Sequence, residues 1–249
     1  MVYLENFYLP FGNRRTYPYN ILCPKMLDAI AFSPVTIFYG NNGSGKSTLL
    51  NVIAEKTKIQ HKTKGNSSLY FNDFVEKCAF ELATRNGKSL KIPTSSRFVR
   101  SEDMMEGIVK LRNETEKAEN KIFAAQDGTE RQFAWNDYNE ISEQYSNGET
   151  AIAFFENIFE PDTLYLLDEP ENSLAPNLQL KLSDIIAKCA YLLNCQFIIA
   201  THSPFLLALH DAKIYNLDKS PASIENWYEL DNLRIYYDFF KLNEKKFNH

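Results

Sequence analysis

Residues Gly40-Asn41-Asn42-Gly43-Ser44-Gly45-Lys46-Ser47-Thr48 place glycines, a lysine and hydroxyls at the spacing G-x-x-x-x-G-K-[ST]. That spacing suits phosphate binding. Glycines let the chain turn tightly enough for successive backbone N–H groups to point at phosphate oxygens, and the helix that follows turns its positive end to the same anion. Asn41 to Thr48 would line the cradle, with Lys46 reaching the β- and γ-phosphates and the Ser47 hydroxyl ligating Mg²⁺. Chance produces the pattern in about one chain in a hundred of this length.

Two further strings carry titratable groups. In Thr163-Leu164-Tyr165-Leu166-Leu167-Asp168-Glu169-Pro170-Glu171 an apolar run ends in carboxylates. Asp168 at the carboxyl end of a parallel strand can hold a Mg²⁺ shell, and Glu169 can act as general base on an attacking water. Taken alone the string is more simply a polar turn with an acidic helix start, and it is the phosphate loop upstream that favours the functional reading. The third string is Ala200-Thr201-His202-Ser203-Pro204. A lone histidine after a strand is more often structural, but one crossover from the Asp168 strand would deliver His202 to the same sheet edge. The catalytic candidates are therefore Lys46, Glu169 and His202, and the metal candidates Ser47 and Asp168.

The elements that must position these residues are legible around them. Val35 to Tyr39 (VTIFY) is a β-branched and aromatic run of strand length, and Leu49, Leu50, Ile53 and Ala54 recur at helical spacing after the loop. LYLL from Leu164 reads as a second buried strand. A helix opening near Pro176 carries Leu178, Leu182, Ile185, Ile186 and Cys189 on one face, and Gln196 to Ala200 (QFIIA) returns as a third strand. Strand, helix and strand form a βαβ crossover, so an α/β fold with a mostly parallel sheet is expected. Between Asp103 and Ser146 the chain is polar with sparse apolar spacing, as in a helical lobe too short for a long coiled coil.

Composition excludes several classes. The 249 residues are 44% hydrophobic and 24% charged with a net charge of −5, so the molecule as a whole is no magnet for nucleic acid or anionic membrane. The Lys56 to Lys64 run reads as a solvated loop. No run of about 18 apolar residues occurs. Cys23, Cys78, Cys189 and Cys195 show no metal-ligand spacing and read as reduced thiols. A cytoplasmic protein without membrane insertion is expected.

In this order, G-N-N-G-S-G-K-S-T, L-L-D-E-P-E and A-T-H-S resemble the Walker A, Walker B and switch-histidine motifs of ABC-type ATPases. From Y-P-Y-N through A-T-H-S-P the chain is similar to small stand-alone ATPases of the bacterial AAA/ABC-like group. The resemblance implies a P-loop NTPase fold, ABC-ATPase-like, over residues 1–249 as one domain. It adds an antiparallel N-terminal β portion and an inserted helical lobe over about 73–160. ATP and Mg²⁺ are the implied ligands, and the implied activity is ATP hydrolysis by a homodimer that closes on ATP.

The family's signature motif, contributed by the second subunit, maps to Gln144-Tyr145-Ser146-Asn147-Gly148-Glu149, which keeps Ser146 and Gly148 but departs from L-S-G-G-Q. Ser146 and Glu149 also fit a plain capping box. The glutamine usual at the lobe entrance is missing from S-R-F-V-R-S-E, leaving Glu102 or Arg100 as substitutes at the metal. Asn172 to Ala175 would be the D-loop. Tyr19 or Tyr17, flanked by Arg14 and Arg15, could stack on adenine, with core or turn packing the equal alternative for tyrosines so common in this chain. The group's setting implies a partner protein such as a nuclease, and DNA handling or defence against mobile DNA. Alternatives are a nucleotide-gated module with little hydrolysis, or a transporter subunit. Beyond Ile214, IYYDFF from Ile235 is expected to cover the sheet with its apolar face.

Overall fold

The computed structural model describes residues 1–12, 15–60, 69–124, 130, 132, 150–172 and 174–247. In chain order the described elements are β1 (Leu4–Tyr8), α1 (Tyr19–Leu22), β2 (Ala29–Ala31), β3 (Val35–Tyr39), α2 (Lys46–Thr57), α3 (Leu69–Lys77) and β4 (Ala79–Leu82). A two-residue hairpin, β5 (Thr84–Arg85) and β6 (Lys88–Ser89), leads to β7 (Arg97–Arg100) and the helices α4 (Ser101–Ala124) and α5 (Thr150–Ile158). Then follow β8 (Leu164–Asp168), α6 (Pro176–Leu192), β9 (Gln196–Ala200), α7 (Pro204–Leu207), β10 (Lys213–Asn216), β11 (Ser223–Glu225) and α8 (Asp231–Leu242).

Six strands form the central sheet in the order β11-β10-β3-β9-β8-β7. From β10 to β7 every pairing is parallel, and only β11 runs antiparallel at one edge. The central strands β3, β8 and β9 are short, mainly apolar and buried runs because both faces of the sheet are covered there. Along β3 the side chains alternate. Val35, Ile37 and Tyr39 enter the core shared with Leu182 and Ile186 of α6, whereas Phe38 joins Leu49, Leu50 and Ile53 of α2 on the opposite face. A separate antiparallel sheet, β2-β1-β4, packs its Leu4, Phe7 and Ile30 into the α2 side. The mostly parallel sheet and the antiparallel N-terminal portion match the expectation from the motifs.

A buried glutamine joins the two sheets. Gln196, at 0% exposure, accepts from the N–H groups of Tyr3 (2.8 Å) and Leu4 (2.9 Å) through Oε1 and donates from Nε2 to the Leu4 carbonyl (2.9 Å). These groups stand near the start of β1, so one side chain supplies partners that backbone pairing alone does not. Within the 73–160 span, β4 pairs with β1 and β7 forms the edge of the central sheet, before α4 and α5. The sequence reading missed β7 as a strand.

The expectation for α8 is corrected. Only Leu233 of this helix is buried, and Ile235, Tyr236, Phe239, Phe240 and Leu242 are exposed. The helix joins the core only at its start, through Leu230 and Leu233.

Candidate functional site

Register brings the candidate groups together. Arg100 lies beside Asp168, Asp168 beside Ala200, Ala200 beside Phe38, and Tyr39 beside Asn216, so the carboxyl ends of five parallel strands release their loops side by side. The loop after β3 turns through positive φ at Gly40 (154°), Gly43 (82°) and Gly45 (106°). At Gly45 a Cβ would stand 2.8 Å from Ile21 Cγ2, whereas at Gly43 it would meet nothing within 4 Å. The loop thus rests against α1 on one side and opens on the other, into a cleft of about 320 Å³ lined by Ile21, Asn42, Gly43, Gly45 to Thr48 and Glu169.

Lys46 is 4% exposed, and its ammonium donates to the Gly40 carbonyl (2.7 Å) and to His202 Nε2 (2.6 Å), with Glu169 Oε1 at 3.8 Å. Burial pulls the Lys46 pKa down, against the opposing pull of Glu169 and Asp168. Burial, with the Lys46 cation beside it, also holds the His202 imidazole below its usual range. A neutral imidazole that accepts at Nε2 carries its proton on Nδ1. His202 Nε2 lies 3.5 Å from Glu169 Oε1, and Asn172 Nδ2 donates to the other Glu169 oxygen at 3.0 Å. Glu169 itself sits at φ 50° and gives its N–H to the Ala200 carbonyl.

The Ser47 hydroxyl donates to Asp168 Oδ1 at 2.9 Å. Burial pushes Asp168 up to about 6; the Ser47 hydrogen bond and Lys46 oppose this and Glu169 adds to it. Mg²⁺ takes hard oxygen ligands, one or two from protein and the rest from water and phosphate. Ser47 and Asp168 fit that donor set. The cradle fits an anion as well, because the Ser44 hydroxyl is buried without a hydrogen-bond partner among the described residues.

Glu171, the last residue of D-E-P-E, is 8% exposed, and its Oε1 accepts from Thr201 Oγ1 (2.6 Å), His202 N (2.6 Å) and Ser203 N (3.1 Å). This carboxylate ties the turn carrying Glu169 to the loop carrying His202. Asp218, two residues beyond β10, accepts from the Asn41 N–H at 2.8 Å and from its amide at 2.9 Å, while Asn232 of α8 donates to Asn41 Oδ1 at 3.2 Å. Sequence reading missed Glu171 as a positioning group, and Asp218, Asn232 and Ile21 altogether. D-E-P-E carried a signal for Glu171, but contacts spanning 177 and 191 residues left none for Asp218 and Asn232.

The remaining candidates are dispersed. Glu102 is exposed in the first turn of α4, and no contact joins it to Ser47 or Asp168. Arg100 stands nearer, hydrogen-bonded to Asn51 and attracting Asp168. Tyr19 is buried, with its ring edge-on to Phe74 at 4.8 Å and its hydroxyl donating to Asp73 at 2.6 Å. Tyr17 stacks on Phe71. Ser146, Gly148, Arg14 and Ser173 lie outside the described residues.

A strand, a glycine-rich loop and a helix, beside strand-end carboxylates on a mostly parallel sheet, make up a fold of the P-loop NTPase type, shared with the Smc head. The family model described as "AAA domain, putative AbiEii toxin, Type IV TA system" matches residues 94–208, a span that holds Asp168, Glu169 and His202 and leaves the phosphate loop outside. Among solved structures, the Smc head bound to the C-winged helix domain of ScpA aligns with TM-score 0.51 and 15% identity, over 90% of this chain and 97% of that one. An Smc head from Pyrococcus furiosus aligns with TM-score 0.48 and 14% identity, over 98% and 100%. CbiO1 of Clostridium perfringens, part of the ABC transporter complex cbiONQ, gives TM-score 0.45 and 16% identity, over 100% and 98%. No curated protein matches the chain.

Proposed function

We propose that the protein binds ATP with Mg²⁺ and, as an ABC-type ATPase, transfers its γ-phosphoryl group to water, releasing ADP and inorganic phosphate. The observation that carries the reading is the meeting of Lys46, Ser47, Asp168, Glu169 and His202 at one sheet edge, with Ser47 on Asp168 at 2.9 Å and Glu169 within 3.8 Å of both Lys46 and His202. Asn41 to Thr48 bind the phosphates, and Lys46 neutralises charge that grows in the transition state. Ser47 and Asp168 would hold Mg²⁺, which would supply positive charge to stabilise the phosphates. Glu169 orients and deprotonates the attacking water, and His202 faces the same point.

The reading extends to a dimer in which Ser146 and Gly148 of one copy complete the site of the other, and to a nucleotide-gated partner such as a nuclease in DNA handling or defence. A cytoplasmic setting belongs to the same reading. Among the described residues no helix is long and apolar enough to cross a membrane.

The test separates binding from chemistry. Glu169→Gln should keep ATP affinity, lose hydrolysis and show an ATP-dependent increase in assembly size by size exclusion with light scattering. Lys46→Ala should lose nucleotide binding. A Glu169→Gln protein that hydrolyses at the wild-type rate, with no change in assembly on ATP, refutes the reading. One observation supports a second reading, a slow nucleotide-gated module: Lys46 is already held by Gly40 and His202. Steady-state turnover measured beside ATP affinity, with and without DNA, separates the two.

A further inference from the structure

The helix α8 carries an apolar stripe that no described element covers. Ile235, Tyr236, Phe239, Phe240 and Leu242 recur at three- and four-residue spacing and are 52–86% exposed. Phe247 folds back beside them, its ring 5.9 Å from that of Phe240. The opposite flank is polar, with Arg234 and Lys241 both placed over the Tyr237 ring. Amphipathic helices bury such a stripe, and here the polar flank and the stripe are both turned outward.

We propose that this stripe packs against the same stripe of a second copy, the two α8 helices running antiparallel across a two-fold axis without any need for nucleotide. The order of charge is self-complementary. Asp231, Arg234 and Asp238 give the earlier part of the segment a charge of −1, and Lys241, Glu244, Lys245 and Lys246 give the later part +2, so an antiparallel pair sets the acidic half against the basic half and a parallel pair opposes like halves. With Phe239 on the axis, Tyr236 meets Leu242 and Arg234 meets Glu244, each pairing made twice. The area approaches that of a small interface. Aromatic side chains present about 150–250 Å² each, so the four half-exposed rings offer on the order of 300–600 Å² per copy before Ile235 and Leu242 are added, against about 800 Å² per partner in a standard interface. The near balance of acids and bases on the segment argues against an anionic membrane as the occupant.

The test is the mass of the nucleotide-free protein by size exclusion with light scattering from low to high micromolar concentration. The expected result is twice the 28.8 kDa chain mass, falling to the chain mass in Phe239→Glu with unchanged circular dichroism and a dissociation constant raised roughly thirtyfold or more. Phe239→Cys should cross-link two chains on treatment with diamide, the thiols being oxidised to a disulfide as diamide is reduced; Tyr237→Cys, on the polar flank, should not. Phe239→Glu should retain ATP affinity, so failure here and failure of the ATPase reading are separable. A wild-type protein at the chain mass throughout overturns the proposal, including one that instead pellets with phosphatidylglycerol vesicles, as does a dimer that Phe239→Glu leaves intact.

Discussion

Replacing Glu171 by alanine probes the tie between the Glu169 turn and the His202 loop. Its Oε1 accepts three donors within 3.1 Å, all on the Thr201-His202-Ser203 loop. Removing it leaves the His202 N–H with no acceptor, whereas the Ser203 N–H still reaches Thr201 Oγ1 at 3.0 Å and the Thr201 hydroxyl can rotate. Hydrogen bonds to charged groups contribute about 1.5–3 kcal/mol each and an orphaned buried donor costs about 1–3 kcal/mol. Against that, Oε2 of Glu171 is buried without a partner among the described residues, and its removal recovers part of a desolvation penalty. The net loss should be about 2–4 kcal/mol, which at about 2–4 °C per kcal/mol for a chain of this size lowers Tm by roughly 5–15 °C. Glu171→Gln keeps one acceptor oxygen and should cost about half as much. Because the freed loop carries His202, hydrolysis should fall further than ATP affinity. Scanning fluorimetry and urea unfolding measure the first effect, and turnover against binding the second. An alanine variant melting within about 2 °C of wild type would refute the assignment.

Gln196→Leu removes three buried hydrogen bonds and strands the N–H groups of Tyr3 and Leu4, so a loss of about 3 kcal/mol is expected, read as a lower urea midpoint at unchanged m-value. For Asp168, a folded pKa raised from 3.8 to about 6 means that its contribution to metal-free stability is present at low pH and lost as pH rises from about 4 through 6. Asp168→Asn should therefore raise metal-free stability at pH 7.5, by about 3 kcal/mol at most, and abolish the Tm increase produced by Mg²⁺–ATP. A wild-type melting curve that rises steadily over pH 4–6 while Asp168→Asn melts lower at pH 7.5 counts against this. Gly45→Ala should lose nucleotide binding, since φ of 106° and a 2.8 Å approach to Ile21 both oppose a methyl; Ile21→Ala in the same chain should recover only the steric part. Isothermal titration with ATP checks both variants.

Much of the site was readable because its parts are local. Gly40 to Thr48 is one uninterrupted turn whose residue types follow from the backbone it must adopt, and Asp168 and His202 each end an apolar run of strand length. Where a role depends on which element lies alongside, one string of residues says little. Tyr19 sits upstream of the phosphate loop, as a stacking residue would, yet Phe74 and Asp73 hold it in the core while Ile21, two residues on, lines the cleft. The aromatic run in α8 has a helix's period, and periodicity cannot state whether the covering surface belongs to the same molecule.

By itself the sequence determined that this chain is an α/β protein with a glycine-rich loop between strand and helix and carboxylates at a strand end, because strand period, glycine-rich turning and helix amphipathicity are properties of neighbouring residues. Only the tertiary structure decided that Glu171 ties the Glu169 turn to the His202 loop, that Asp218 holds Asn41, that Gln196 joins two sheets and that α8 faces outward. Each of those depends on groups brought together from tens to nearly two hundred residues apart, and sheet order and register set such distances, which local spacing does not encode.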